Sequence, residues 1–201
     1  FHAWTPDVYE GSPTPVTAFM ASLPKVAGFV LLLRLLNDPL APLSDLWQPL
    51  LAILAVLTML VGSAVAMVQT GIKRLLAYSS VGQVGFMLAG VVAMNNSGGA
   101  GVLFYVAVYA VTTLLMFGSV LLLQQKKNDV TEVVQLAGLG QTQPMLAGGM
   151  LLGLFSLAGV PPLGGFFGKM FVFQSAVEAG YVWLAVVGVL ISVIAAFYSL
   201  W

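Results

Sequence analysis

Cysteine is absent from this 201-residue chain, histidine occurs once, and Asp, Glu, Lys and Arg together fill only 7% of positions. Each absence excludes something. Without thiolates there are no disulfides, iron–sulfur clusters or cysteine zinc sites, and one histidine does not build a haem or metal site alone. Seven basic residues against seven acidic ones leave no net charge, so no basic face exists to neutralise the phosphates of a nucleic acid. Neither a Gly-rich phosphate loop nor a Ser/His/Asp set is visible. So few charges cannot coat a water-soluble body of this length. What the chain does have is apolar surface. Hydrophobic residues make up 60% and the mean hydropathy is +1.01, where ordinary globular chains run at about 45–50% apolar. The composition is that of an integral membrane protein. The chain opens on Phe1 and closes on Trp201 inside an apolar run, which reads as a piece of a longer protein, with no signal peptide to judge.

Charge-free windows locate the spans better than periodicity, because a helix among lipids and other helices is apolar all round. No charge lies between Asp45 and Lys73, and Pro49 to Gln69 suffices for one crossing. From Leu75 to Gln125 the chain is again uncharged, interrupted by the turn signal Asn95-Asn96-Ser97-Gly98-Gly99. That predicts two crossings, Leu75 to Met94 and Val102 to Leu123. A first span runs from Pro15 to Leu36, opened by Ser12-Pro13-Thr14-Pro15, and a last one from Tyr181 to Trp201. Between them, Pro144 to Val177 exceeds the roughly 20 residues that cross hydrocarbon. In its centre sits Ala158-Gly159-Val160-Pro161-Pro162-Leu163-Gly164-Gly165. Prolines remove donors and glycines loosen the backbone, so the expectation is a helix broken at Gly159–Pro162 into two halves. Such breaks survive in a membrane where protein or water covers the freed backbone groups, and they tend to mark transport sites. A tight re-entrant bend without function is the plainer alternative. The fold class expected is an all-α membrane protein, one transmembrane domain over residues 1–201 with about six membrane segments.

The loops orient the bundle. Lys73 and Arg74 connect the second and third spans, and Lys126 and Lys127 connect the fourth and fifth, so both loops fall on one side. The opposite loops carry Asp38, Asp45 and Glu178, with Arg34 at a helix end. The positive-inside rule makes the Lys-bearing side cytoplasmic or its equivalent, and the first span then starts inside.

Two lysines stand where lysines are expensive. Lys25 lies about ten residues from either end of its span, about 15 Å from each interface at ~1.5 Å per residue. A stem cannot easily snorkel from there, and an ammonium near the bilayer centre costs about 2.5–3.5 kcal/mol on the mildest scale. The usual compensations are a buried carboxylate, a water-filled cavity or release of the proton, and the last would make Lys25 a proton carrier. A fixed ion pair with a partner outside this chain, or a slipped span boundary, would explain it structurally. Lys169, on the second half of the broken helix, repeats the puzzle. Two permanently charged amines at that depth would repel one another, so hydration or proton exchange between them is the easier arrangement.

The third and fourth spans add polar groups: Tyr78, Ser79, Ser80 and Gln83, and the pair Tyr105 and Tyr109 at i, i+4 spacing on one face. Hydroxyls and amides at membrane depth hold water or hand on protons, and they also serve simply to join helices. Gly85, Gly90, Gly101 and Gly118 read as small-residue helix contacts. His2, Asp7 and Glu10, with Trp4 and Tyr9, do not form a recognised ligand pattern. They read as an interfacial aromatic anchor with solvated carboxylates.

The run Phe1-His2-Ala3-Trp4-Thr5-Pro6-Asp7-Val8-Tyr9-Glu10-Gly11-Ser12-Pro13-Thr14-Pro15-Val16 resembles the segment leading into the eighth helix of the antiporter-like subunits of respiratory complex I. Ile72-Lys73-Arg74-Leu75-Leu76-Ala77-Tyr78-Ser79-Ser80 and Leu157-Ala158-Gly159-Val160-Pro161-Pro162-Leu163-Gly164-Gly165-Phe166-Phe167-Gly168-Lys169 match that family in the same order. Tyr105 and Tyr109, where the L and M types typically carry histidines, look like the N-type branch. Gln83 stands where some N-type members have histidine. The resemblance implies about helices eight to thirteen of a fourteen-helix antiporter-like fold. It implies that Lys25 is the lysine of the central channel and Lys169 the lysine of the broken twelfth helix. It also implies a glutamate on the fifth helix and a lysine on the seventh, both upstream of Phe1. The activity implied is proton translocation in NADH-quinone oxidoreductase, and the polar residues read from the spans, Tyr105, Tyr109 and Gln83, are candidates for a polar or water relay beside the two lysines. NADH, FMN, iron–sulfur clusters and quinone would belong to partner subunits. The partners implied are the other membrane-arm subunits and the lipid bilayer of an energy-transducing membrane, most simply a bacterial plasma membrane. A subunit of a multisubunit Na+/H+ antiporter is the alternative in the same family.

Overall fold

The computed structural model describes residues 3–93, 95–126 and 131–200. His2, Met94, Lys127 and Trp201, and the side chain of Lys126, lie outside the described residues. Within them the chain is almost wholly helical, and four helices are long and apolar enough to cross a membrane. A short helix α1 (Thr5–Gly11) precedes α2 (Thr14–Asn37), α3 (Ser44–Ala66), α4 (Ile72–Val92) and α5 (Asn96–Lys126). A short turn of helix, α6 (Leu139–Thr142), leads into α7 (Pro144–Ala158), α8 (Gly164–Glu178) and α9 (Val182–Leu200).

Local chemistry sets these boundaries. Pro15 opens α2, where a missing N–H costs nothing. The side chain of Asn95 accepts a bond from the Gly98 N–H at 2.6 Å and so caps α5. That cap is why the Asn/Gly run predicted as a longer turn is largely absorbed into α5. Helix α3 likewise begins ahead of Pro49, which sits in its second turn and forgoes one backbone bond. The break in the long apolar stretch falls where the Gly-Pro signal places it: α7 ends at Ala158 and α8 begins at Gly164.

Helix α4 is the centre of the bundle, with 78% of its apolar window buried against 28% for α2 and 33% for α3. It packs most intimately on α3, whose buried residues Ala52, Ala55, Met59, Gly62 and Ala66 recur at three- and four-residue spacing. Small residues let the two backbones approach. A Cβ on Gly85 would stand 2.6 Å from the backbone nitrogen of Met59, and one on Gly90 would stand 2.6 Å from a Val102 methyl. A Cβ on Gly101 would meet the Phe171 Cβ at 3.1 Å. Gly118, expected to be of the same kind, is different. Nothing stands within 4 Å of a Cβ built there, because it faces away from the neighbouring helices.

The Lys73/Arg74 end of the bundle is tied together. The Ile72 N–H donates to the Thr131 carbonyl and the Val133 N–H to the Thr70 carbonyl, both at 2.9 Å. The α3–α4 loop and the segment after α5 therefore lie at one end, and α1 lies there too, with Lys73 Nζ donating to the Ser12 carbonyl at 2.7 Å.

Replacing Gly85 by leucine forces an overpacked side chain into the α3 backbone, so the full-length protein in detergent should lose about 1–3 kcal/mol of stability. Gly118→Ala should leave its thermal unfolding temperature unchanged. Equal effects at the two positions would contradict this packing.

Candidate functional site

The break in the long helix creates a shortage of donors. Three carbonyls at the end of α7, those of Ser156, Leu157 and Ala158, lose their helical partners, and lipid supplies none. Gly159 takes a left-handed conformation at φ +86°, which only glycine adopts without penalty. Its N–H then reaches the Ser156 carbonyl at 3.1 Å, and the Val160 N–H reaches the Phe155 carbonyl at 2.9 Å. Two carbonyls remain, those of Leu157 and Ala158. Lys169 Nζ donates to both at 3.0 Å, and the Gln83 amide donates to Leu157 at 2.9 Å.

Lys169 reaches this position because α8 folds back against α7 over side-chain-free positions. The Ser156 hydroxyl accepts from the Gly165 N–H at 3.3 Å, and any side chain at 165 would collide with the Ser156 carbonyl. The lysine is 5% exposed. Its ammonium lies at the negative end of the α7 dipole and 4.6 Å from the centre of the Phe86 ring. Behind the amide of Gln83, itself 1% exposed, the Tyr105 hydroxyl donates to the Gln83 Oε1. Gly168 leaves room for the Tyr105 ring, which a Cβ there would meet at 2.6 Å.

Lys25 sits on α2 one residue after Pro24, which interrupts the helix from inside. Its Nζ donates to the Tyr109 hydroxyl at 2.9 Å, 5.1 Å from the Tyr109 ring centre and 5.7 Å from that of Tyr9. No carboxylate among the described residues comes within ion-pair distance of either lysine. The pairs present join Arg74 to Asp7 at 2.8 Å and to Glu10 at 3.2 Å. Aromatic faces and neutral oxygens therefore carry both amines.

A cavity of about 10 Å³ is lined by Ser79, Ser80, Tyr109, Thr113 and Leu157 together with Leu76, Met116 and Phe117. A space of that size is close to the minimum for one water. One wall is the tyrosine bonded to Lys25, and another is the residue whose carbonyl binds Lys169. On its far side Lys169 borders an apolar groove of about 620 Å³ between α8 and α9, lined also by Phe166, Phe173, Val186 and Leu190.

The five residues singled out from the sequence are thus gathered into two linked clusters. Tyr105 and Tyr109 share a buried face of α5 yet serve different lysines: Tyr109 bonds Lys25, and Tyr105 reaches Lys169 through Gln83. Tyr9 corrects the sequence reading. Expected at the membrane interface, it is 1% exposed and packs edge-on against Phe117 at 6.0 Å. The seven-residue helix that carries it turns Asp7 and Glu10 outward and Thr5, Pro6 and Tyr9 inward. Phe86 was also missed, although it lies three residues from Gln83 on the same helix face.

The family described as "NADH:quinone oxidoreductase/Mrp antiporter, TM" matches residues 1–195. NADH-quinone oxidoreductase subunit N of Rhodospirillum rubrum is 50% identical over 200 residues, covering 100% of this chain and 41% of that protein. The chain thus spans about two fifths of the length of the curated relatives it matches. A chain of respiratory complex I from Thermus thermophilus with bound aureothin superposes with a TM-score of 0.83 at 37% identity, over 100% of this chain and 43% of that one. A chain of the Mrp complex from Dietzia superposes with a TM-score of 0.92 at 25% identity, over 99% of this chain and 37% of that one.

Lys169→Met takes the ammonium from the Ala158 carbonyl and leaves the Leu157 carbonyl with the Gln83 amide alone, and the one carbonyl left unsatisfied should cost about 1–3 kcal/mol. The full-length variant should unfold in detergent at a lower temperature, with Lys169→Gln recovering part of the loss. A methionine variant as stable as the parent would show that the ammonium is not the cap.

Proposed function

From the chain's membership of the NADH:quinone oxidoreductase/Mrp antiporter transmembrane family, we propose that it is part of a proton-translocating membrane-arm subunit of an NADH-quinone oxidoreductase. Lys25 and Lys169 are the groups that take up and release the proton. Quinone reduction elsewhere in the complex changes the electrostatic surroundings of the two amines in turn, and a proton passes when their affinities cross. The observation that carries this reading is the connection between them. Lys25 bonds Tyr109, Tyr109 walls the water-sized cavity, and Leu157 closes that cavity while its carbonyl binds Lys169.

This arrangement suits transfer better than storage. A carboxylate beside either lysine would hold the ammonium as a fixed pair, whereas hydroxyls, carbonyls and ring faces stabilise the cation without locking it. Tyr109 both accepts and donates, so a water in the cavity would extend the hydrogen bonding of Lys25 toward Ser79, Ser80 and Thr113. Gln83 and Tyr105 fix the carbonyl that Lys169 uses. The iron–sulfur clusters are assigned to partner subunits, since a cysteine-free chain offers no thiolate ligands, and NADH, FMN and the quinone are assigned with them. The other membrane-arm subunits are its neighbours and the bilayer its solvent. The relatives named are bacterial, and the plasma membrane of a bacterium fits.

The test is Lys25→Met in the full-length subunit of the assembled complex, with quinone reduction and vesicle acidification measured together. Pumping per quinone reduced should fall by about tenfold or more, in the range that loss of a proton-transfer group produces, while quinone reduction persists. Undiminished pumping would reduce the subunit to a scaffold. Sodium-dependent transport without redox coupling would assign it to the antiporter branch of the family.

A further inference from the structure

Helix α1 is too short and too charged to belong to the membrane, yet it delivers a buried ring to the neighbourhood of Lys25. We infer that α1 is a latched plug and that Tyr9 is a positioning residue for Lys25, so that the ion pairs at the bundle's surface and the amine inside it act as one unit. The inference rests on the reading of Lys25 as a proton carrier.

The inner face of α1 presents Thr5, Pro6 and Tyr9 to the bundle. The Tyr9 ring meets the Phe117 edge and lies 5.7 Å from Lys25 Nζ, while the Tyr109 ring, whose hydroxyl the amine bonds, comes from a different helix, α5. With no carboxylate among the described residues in reach, these two rings supply the negative electrostatic surface the ammonium requires. The Tyr9 ring and the Tyr109 hydroxyl thus set where the amine rests.

The outer face of α1 holds the latch. Arg74 pairs with Asp7 at 2.8 Å and with Glu10 at 3.2 Å, and Lys73 bonds the Ser12 carbonyl at 2.7 Å. Both cations sit in the first turn of α4, where the helix dipole disfavours positive charge. The two carboxylates of α1 relieve that conflict, which binds α1 to the start of α4 in particular. Thr17 adds a hinge, donating from its hydroxyl to the Tyr9 carbonyl at 3.2 Å. The Arg74 pairs are solvent-exposed, and such pairs are individually weak and salt-sensitive. A latch of this kind holds a short helix in place and lets it go without unfolding the bundle. Released, α1 would draw Tyr9 away and open Lys25 to water from the Lys73/Arg74 side.

Two readouts in the full-length subunit of the assembled complex test this. The first is a thiol at Ala21, a buried position one turn from Lys25 toward α1, probed with a water-soluble maleimide and read by peptide mass. Labelling should be slow in the parent and rise by about thirtyfold in Arg74→Gln and in Tyr9→Leu, the factor a desolvated cation–π contact corresponds to. The second is protons pumped per quinone reduced, which Tyr9→Phe should preserve and Tyr9→Leu should lower. Arg74→Gln combined with Tyr9→Leu should do no more than either alone, because one unit fails once. Unchanged labelling in both single variants overturns the plug, as does a Tyr9→Leu complex that reduces quinone and pumps at the parent ratio. Labelling that rises as expected while Lys25→Met pumps normally would leave the plug standing and overturn the proton-carrier reading instead.

Discussion

Everything at the centre of this bundle depends on one constraint: a carbonyl exposed by a broken helix inside a membrane must find a donor within the protein. The break between α7 and α8 leaves the last carbonyls of α7 short of helical donors. The glycine turn closes on those of Phe155 and Ser156, and side chains must serve those of Leu157 and Ala158. A lysine on α8 and a glutamine on α4 do so. The cost of placing an amine at that depth and the cost of interrupting the helix there thus offset one another. Neither feature is stable alone in hydrocarbon, and together each satisfies the other.

The same logic extends to Lys25, where the oxygen is a phenol rather than a backbone carbonyl. Both sites bring dipoles and aromatic rings to the amine. An ion pair buried without water costs several kcal/mol per ion in desolvation and resists any change of protonation on either partner. Ring and hydroxyl contacts are shallower wells.

Much of this was written in the sequence because charge is so scarce in it. With apolar residues everywhere, a lone lysine in a long uncharged window announces its depth by counting, and Gly159 with Pro161 and Pro162 announces the interruption. The tyrosine pair on α5 was legible as a shared face, but not its division between two lysines, since that depends on where α2 and α8 dock. Tyr9 was hidden for another reason. On a helix of two turns, Asp7 and Glu10 dominate the impression of a wet segment, and nothing in seven residues says that the opposite face enters the bundle. Gly118 shows the converse. A small residue in a membrane helix signals close approach only where a neighbour is present, and the neighbour is a tertiary fact. Pro24, next to Lys25, deprives α2 of one backbone donor beside the amine.

The cap on α7 has a further property that follows from counting hydrogens. An ammonium carries three N–H groups and a neutral amine two, and the break leaves two carbonyls for Lys169 to serve. A lysine that had surrendered its proton could therefore keep both bonds, presenting its lone pair elsewhere. The terminus of the half-helix would then stay closed in either state, and the site could change its charge through a cycle without the scaffold having to move.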